Sequence, residues 1–114
     1  MRQTFGEKLK QIRRLKSISQ RELAAKVGVD FSYVSKLEND RLSPPSSETI
    51  EKMCAILGVP VEDLLVLARK PPTGAVEIMS SSPDALKFFQ DARSMNLDEK
   101  EWRKLGEHLK KLRR

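Results

Sequence analysis

Residues 20–39 read QRELAAKVGVDFSYVSKLEN, and this stretch decides the interpretation of the chain. Apolar residues recur at helical spacing on both sides of Gly28, which predicts two short helices joined at that residue. Gly28 accepts the positive φ of a tight turn, and Ala24 is small enough for the two helices to cross closely. The stretch therefore predicts a helix-turn-helix. Its apolar positions are Leu23, Val27, Val29, Val34 and Leu37.

The second of these helices has polar and aromatic side chains on the faces that Val34 and Leu37 do not use. The major groove of B-DNA is wide enough to admit one α-helix, and its base edges are then within reach of such side chains. We therefore expect this helix to contact DNA. The side chains on its outer faces are Phe31, Ser32, Tyr33, Ser35 and Lys36.

All five side chains also have an ordinary structural interpretation, and for Ser32 and Ser35 it is that of solvent-facing serines. Phe31 lies at the edge of the buried stripe, so partial burial is equally compatible with its position. Tyr33 is about 100° around the helix from Val34, which favours exposure with its hydroxyl group on a phosphate. Lys36 could pair with Asp40, four residues further on, instead of contacting DNA.

Charge is distributed unevenly along the chain. The 114 residues carry a net charge of +6 and are 39% hydrophobic, which suits one small globular protein. Residues 1–41 hold ten Lys and Arg against five Asp and Glu, so the basic part coincides with the helix-turn-helix. A basic surface gains affinity for DNA by releasing counterions. Arg21 and Arg41 belong to this surface, and we expect both to contact DNA.

Helix start signals predict five helices in the first seventy residues. The candidate caps are Thr4 with Glu7, Ser19 with Glu22, Asp30 and Ser46. The fourth helix is expected to end at Gly58, and a fifth is expected near residues 61–67. No stretch alternates between apolar and polar residues, so the predicted fold class is all-α.

At this point residues 9–65 resemble the helix-turn-helix domain of the phage lambda and 434 repressor and Cro family, also called the XRE family. The matching residues are Ser19-Gln20, Glu22-Leu23-Ala24, Lys26-Val27-Gly28-Val29, Ser32-Tyr33-Val34-Ser35, Leu37-Glu38-Asn39, Pro45-Ser46, Glu48-Thr49, Leu57-Gly58-Val59 and Asp63-Leu64-Leu65. The resemblance implies a five-helix lambda-repressor-like domain that binds double-stranded DNA.

The resemblance also implies roles for individual residues. Gln20 corresponds to a glutamine that contacts phosphate and braces the recognition helix, and Asn39 to a further phosphate contact. Phe31 replaces the polar residue that is common at the head of the recognition helix. A phenyl ring there cannot hydrogen-bond to a base, but could pack on a thymine methyl group. Val61 replaces the usual polar cap of the fifth helix.

Composition changes at residues 69–74, where prolines, a glycine and basic residues adjoin. The sequence therefore predicts a helix-turn-helix domain over residues 1–69, a linker over residues 70–82, and a C-terminal helical hairpin over residues 83–114. Ser82 before a proline, and Asp98 with Glu101, predict the starts of its two helices.

The hairpin has an apolar face but is too short to bury it alone. We expect a homodimer that shares this face, and packing against the fifth helix of the same chain is the alternative. Gly106 weakens the last helix and would be tolerated if another helix approaches it. The predicted dimerisation residues are Phe88, Phe89, Met95, Trp102, Leu105 and Leu109.

No residue set supports catalysis, so an enzyme is not expected. His108 is the only histidine and Cys54 the only cysteine, so the sequence offers no set of metal ligands. Neither a metal site nor a cofactor is expected. The unpaired cysteine fits a reducing cytoplasm, and no apolar run is long enough to cross a membrane.

These features together predict a sequence-specific DNA-binding regulator of transcription. Repression, by a dimer on a palindromic operator, is the default that the resemblance implies. The alternative is an antitoxin or protease-controlled repressor, whose C-terminal helices bind a toxin or a metallopeptidase. The helix-turn-helix could also dock on a protein without binding DNA.

Overall fold

The computed structural model describes residues 2–113, which contain eight helices and no strand. The prediction of an all-α fold is confirmed. Within the described residues, one compact unit ends at Thr73 and a second begins at Gly74. The helices are α1 (Phe5–Leu15), α2 (Gln20–Val27), α3 (Phe31–Glu38), α4 (Ser47–Leu57), α5 (Glu62–Ala68), α6 (Ala75–Met79), α7 (Pro83–Met95) and α8 (Glu99–Lys111).

Side chains cap the N-termini of α1 and α2. The Glu7 N–H donates to Thr4 Oγ1 at 3.0 Å, and the Thr4 N–H donates to Glu7 Oε1 at 2.9 Å, as the capping box predicts. Ser19 Oγ accepts from the Glu22 N–H at 3.0 Å. Asp30 stands at the start of α3 with an extended backbone, but its carboxylate makes no capping hydrogen bond. The prediction that Asp30 caps this helix through its side chain is therefore wrong.

The next two helices also follow their sequence signals. Ser46 Oγ accepts from the Thr49 N–H at 3.3 Å, and α4 ends at Gly58, whose φ is 70°. The side chain of Val61 makes no capping bond, so α5 starts without the polar cap that the other helices of this unit were predicted to have.

One apolar cluster forms the core of the first unit, and every member is at most 6% exposed. Cys54 lies in it at 0% exposure, and burial raises the pKa of its thiol to about 11. Because α1 to α5 all contribute, the core fixes α3 from behind. The members are Phe5, Leu9, Ile12, Leu23, Ala24, Val27, Val34, Leu37, Ile50, Met53, Cys54, Leu57, Leu64 and Leu65.

The segment predicted to be a linker, residues 70–82, is partly structured. Lys70 Nζ donates to the carbonyl oxygens of Pro44 and Pro45 at 3.2 and 2.7 Å, which attaches the start of the segment to the first unit. Helix α6 occupies the middle of the same segment.

The second unit contains the two helices predicted as a hairpin. Ser82 caps α7, and Asp98 with Glu101 forms the predicted capping box of α8. Ala92 is the only buried residue among those described in this unit. A Cβ atom added at Gly106 would meet nothing within 4 Å, so no close contact within the described chain requires glycine there. Along residues 2–113, no helix is both long and apolar enough to cross a bilayer.

Candidate nucleic-acid interface

Gly28 and Ala24 build the turn between α2 and α3, as the sequence predicts. Gly28 has a φ of 90°, and its N–H donates to the Ala24 carbonyl oxygen at 2.9 Å. The Val29 N–H donates to the same oxygen at 3.0 Å. A residue with a Cβ atom would be strained at this φ. The turn therefore ends α2 sharply, and only three residues separate α2 from α3.

Helix α3 has a buried face and a solvent face. Val34 and Leu37 are 0% and 1% exposed, which anchors the inner face in the core. Phe31, Ser32 and Lys36 are exposed on the other side, where the sequence predicts DNA contacts. A helix anchored this way presents a rigid row of side chains to a ligand.

The remaining predicted contacts on this helix are less accessible. Tyr33 was expected to be exposed, but it is half-buried because its ring packs against the core cluster. Ser35 is half-buried as well. Asn39 is exposed just after the helix, and its Nδ2 donates to the Ser35 carbonyl oxygen at 2.9 Å.

A buried ion pair lies behind α3. Arg13 Nε and Nη2 donate to the two carboxylate oxygens of Glu38 at 2.6 and 2.9 Å, and Arg13 Nη1 donates to the Ile18 carbonyl oxygen at 3.0 Å. Gln20 Nε2 also donates to Glu38, at 2.9 Å. The hydrogen bond to Glu38 raises the pKa of Arg13. The network joins α1, α2 and the end of α3.

The brace that the resemblance assigned to Gln20 is thus a bond to Glu38. Sequence analysis missed the importance of Arg13 and Glu38. A signal was present, because Arg13 lies four residues after Leu9 and Glu38 four residues after Val34. That spacing places both charged side chains on buried helical stripes.

Asp40 joins the end of α3 to the start of α1. Its Oδ2 accepts from Thr4 Oγ1 at 2.7 Å, and its Oδ1 accepts from the Gly6 N–H at 3.1 Å. The alternative pairing of Lys36 with Asp40 does not form, because the Asp40 carboxylate is turned toward α1. A Cβ atom at Gly6 would lie 2.3 Å from the Leu37 carbonyl oxygen. Only glycine permits this close approach, which sequence analysis did not detect.

Arg21 lies over the ring of Phe31 at the head of α3. Its guanidinium carbon is 4.5 Å from the ring centroid, and Phe31 is 39% exposed. A cation is attracted to the face of an aromatic ring at this distance. Beside the pair, Lys10 and Arg14 help to line a hollow of about 430 Å³ at the start of α2. Cations and free helix N–H groups together suit a phosphate group.

Arg41 is the last predicted contact, and it is exposed in the loop after α3. Its N–H donates to the Lys36 carbonyl oxygen at 2.9 Å. The bonds of Lys70 to Pro44 and Pro45 hold the other end of the same loop. The loop that presents Arg41 is therefore fixed at both ends.

In the second unit, α6, α7 and α8 surround an apolar groove of about 690 Å³. Trp102 and Leu109 remain 45% and 68% exposed there. Met95, the sixth predicted dimerisation residue, lines a neighbouring groove between α7 and α8 and is 65% exposed. The five predicted dimerisation residues that line the larger groove are Phe88, Phe89, Trp102, Leu105 and Leu109.

Two helices crossed at a glycine turn, with one exposed face beside a basic hollow, define a helix-turn-helix protein. The helix-turn-helix family profile matches residues 9–64 of this chain. The chain belongs to this family, in its XRE branch, and the prediction made from the sequence is confirmed. It is a family of DNA-binding regulators and not of enzymes.

Two curated relatives each match a little more than half of this chain. SinR, an HTH-type transcriptional regulator of Bacillus subtilis (strain 168), is 43% identical over 61 residues, which are 54% of this chain and 55% of SinR. RghRB, from the same organism and also named an HTH-type transcriptional regulator, is 36% identical over 64 residues, which are 56% of this chain and 46% of RghRB. The matches span about half the length of these curated relatives.

A solved structure matches almost the whole chain. It is a complex of the SinR protein with the SinI protein, and it covers 94% of this chain and 95% of that chain, with 30% identity and a TM-score of 0.52. Because the first unit ends at Thr73, coverage of that extent includes residues of the second unit as well.

Proposed function

We propose that this chain represses transcription in the cytoplasm by binding a palindromic operator as a homodimer. The observation that carries the proposal is the exposure of Phe31, Ser32 and Lys36 on a helix whose inner face is buried by Val34 and Leu37. A short helix held rigidly from behind fits the major groove with its outer face on the base edges.

The residues proposed to contact DNA divide into two groups, those that contact phosphates and those that contact bases. Phosphate contacts set the position of the protein and supply salt-dependent affinity, whereas base contacts supply sequence preference. The proposed base contacts are Phe31, Ser32, Ser35 and Lys36. The proposed phosphate contacts are Gln20, Arg21, Tyr33, Asn39 and Arg41.

The apolar groove of the second unit supports dimerisation. An exposed apolar surface of this kind is typical of an interaction site, and burying Trp102 and Leu109 against a second copy removes it from water. Two recognition helices then lie about 34–36 Å apart on one face of DNA. Linked contacts of this kind raise affinity well above that of one helix.

A second candidate function is regulation by a protein partner. The solved structure that covers 94% of this chain is a complex of SinR with a second protein. In this candidate, a toxin, a metallopeptidase or another partner occupies the groove at Trp102 and thereby controls the DNA-bound state. A purified chain that is dimeric without any partner favours the first candidate, and one that stays monomeric favours the second.

The test of DNA recognition compares Lys36→Ala with Lys87→Ala. Each variant removes one exposed lysine, but Lys36 lies on α3 and Lys87 on α7. The ligand is a duplex selected from a random library by the full chain, and an unrelated duplex is the reference. We expect Lys36→Ala to weaken binding to the selected duplex by about 1–3 kcal/mol and to affect the unrelated duplex much less.

The control variant should bind both duplexes nearly as the parent chain does. An equal loss for Lys36→Ala on the two duplexes would show that Lys36 contacts phosphate only. In that case Lys36 carries no sequence preference, and the assignment of base contacts on α3 is wrong.

A further inference from the structure

We propose that Phe31, held by Arg21, makes the chain prefer a pyrimidine with a methyl group at C5 in each half-site. This inference rests on the proposed DNA-binding function and names one feature of the base that the protein recognises. The preferred base is thymine or 5-methylcytosine, since both present the same methyl group in the major groove.

Phe31 stands at the N-terminal end of the recognition helix. It is the first residue of α3, and the N-terminal residues of a recognition helix are the ones that meet base edges. A phenyl ring has no donor or acceptor, so it cannot distinguish bases by hydrogen bonds. The C5 methyl group is the apolar feature that a base pair displays in the major groove. Contact with this methyl group is therefore what Phe31 can contribute to sequence preference.

Arg21 determines how the ring of Phe31 is presented. Its guanidinium group lies 4.5 Å from the ring centroid, and a planar guanidinium stacks well on an aromatic face. Gln20, the preceding residue, donates from Nε2 to Glu38 at 2.9 Å and does not stack on the ring. Arg21 lies over the ring of Phe31, and Phe31 remains 39% exposed beside it. We therefore regard Arg21 as a positioning residue for Phe31.

The first experiment uses the full chain and its best duplex from a random library. Each thymine in that duplex is replaced in turn by uracil, which differs from thymine only in lacking the methyl group. We expect one position in each half-site to lose affinity about fourfold, and the two replacements together to lose about fifteenfold, as burial of one methyl group each implies.

A second set of duplexes separates the methyl group from the rest of the base. At the sensitive position, a C·G pair is compared with a 5-methylcytosine·G pair. The proposal requires the methylated duplex to bind about fourfold more tightly. The proposal is overturned if the chain binds these two duplexes equally. It is also overturned if the chain binds its selected duplex specifically but no replacement of thymine by uracil lowers the affinity.

Variants then assign the effect to the two residues. Phe31→Gln should bring the ratio of thymine to uracil affinity close to unity. Arg21→Lys keeps the charge, so it should retain the salt dependence of binding and still lower this ratio. Lys87→Ala, on α7, should leave the ratio unchanged. Since Phe31 is partly exposed, thermal melting should show that Phe31→Gln remains folded.

The outcomes of these experiments separate the preference for a methyl group from the proposed DNA-binding function on which it rests. A ratio that persists in Phe31→Gln overturns the inference but leaves a sequence-specific regulator. A chain that prefers no duplex from the library refutes the DNA-binding function, and the methyl contact with it.

Discussion

The two units of this chain use similar helices in opposite ways. The first unit, up to Thr73, encloses an apolar cluster contributed by all five of its helices. In the second unit, Ala92 alone is buried among the described residues, while Trp102 and Leu109 stay exposed. The comparison shows that an amphipathic helix does not by itself determine what covers its apolar face. The first unit completes its own core, whereas the second leaves large apolar side chains exposed among its described residues.

Local signals are equally strong in the two units. Thr4 with Glu7 forms a capping box at the start of α1, and Asp98 with Glu101 forms one at the start of α8. The units differ in contacts between residues far apart in the sequence. The first unit has a buried ion pair between Arg13 and Glu38, which are 25 positions apart.

The largest effect should follow from breaking that ion pair. Arg13→Met leaves Glu38 charged, buried and without its partner, so we expect a loss of about 3–5 kcal/mol in unfolding free energy. Urea unfolding followed by far-UV circular dichroism measures it. The emission of Trp102, in the second unit, should keep its urea midpoint, since the core cluster contains no residue of that unit.

The double variant Arg13→Met with Glu38→Met is the control for this prediction. It removes both charges and should recover most of the lost stability, because no unpaired charge remains in the core. If Arg13→Met alone leaves the unfolding free energy unchanged, the pair is not what holds α3 to α1.

A somewhat smaller effect is expected at the exposed groove. Trp102→Ala removes the largest side chain of the proposed shared core and should weaken dimerisation by about 2 kcal/mol or more. Sedimentation at several protein concentrations measures the dissociation constant. Arg103→Ala, on the same helix but outside the groove, is the matched control. A monomeric parent chain at micromolar concentration would remove the homodimer from the account.

The same glycine-to-alanine change should have opposite signs in the two units. Gly6→Ala places a Cβ atom 2.3 Å from the Leu37 carbonyl oxygen, so we expect a loss of about 1–3 kcal/mol. Gly106 lines the proposed dimer groove, but within one copy the added Cβ atom meets nothing within 4 Å, so the change should stabilise α8 of the monomer by about 0.5–1 kcal/mol. Thermal melts of the two variants test this, and effects of the same sign would contradict the contrast.

The smallest effect concerns Cys54 and pH. Burial raises the pKa of its thiol from 9.0 to about 11, so the folded chain holds the thiol proton more tightly than the unfolded chain. Its contribution to stability is therefore complete below pH 9 and is lost as the pH rises from 9 to about 11. At about pH 8 the thiol should not react with a disulfide reagent until urea unfolds the first unit. Rapid reaction in the native state would show that the core is open at this point.

Much of the fold follows from short-range patterns in the sequence. The capping serines, the glycines at 28 and 58 and the apolar periodicity predict helix starts and ends, because each depends on neighbouring residues alone. Asp30 takes the predicted cap position and backbone conformation, but its side chain makes no capping hydrogen bond. The bonds of Asp40 to Thr4 and Gly6 span more than thirty positions, so no local pattern predicts them.

In the candidate site, too, some features follow from local sequence patterns and others depend on tertiary packing. The exposure of Ser32 and Lys36 follows from the helical periodicity of Val34 and Leu37. The half-burial of Tyr33 does not, because it depends on the packing of this side chain against the core cluster. The contact between Arg21 and Phe31 depends on how α2 and α3 cross.

The most direct test of the account is a nuclear magnetic resonance titration of the full chain with its selected duplex. If the outer face of α3 lies in the major groove, the amide signals of Ser32 and Lys36 should show the largest changes, together with those at the start of α2. Signals of α7 and α8 should change little once the dimer has formed. Changes confined to α6, α7 and α8, with α3 unaffected, would contradict the account.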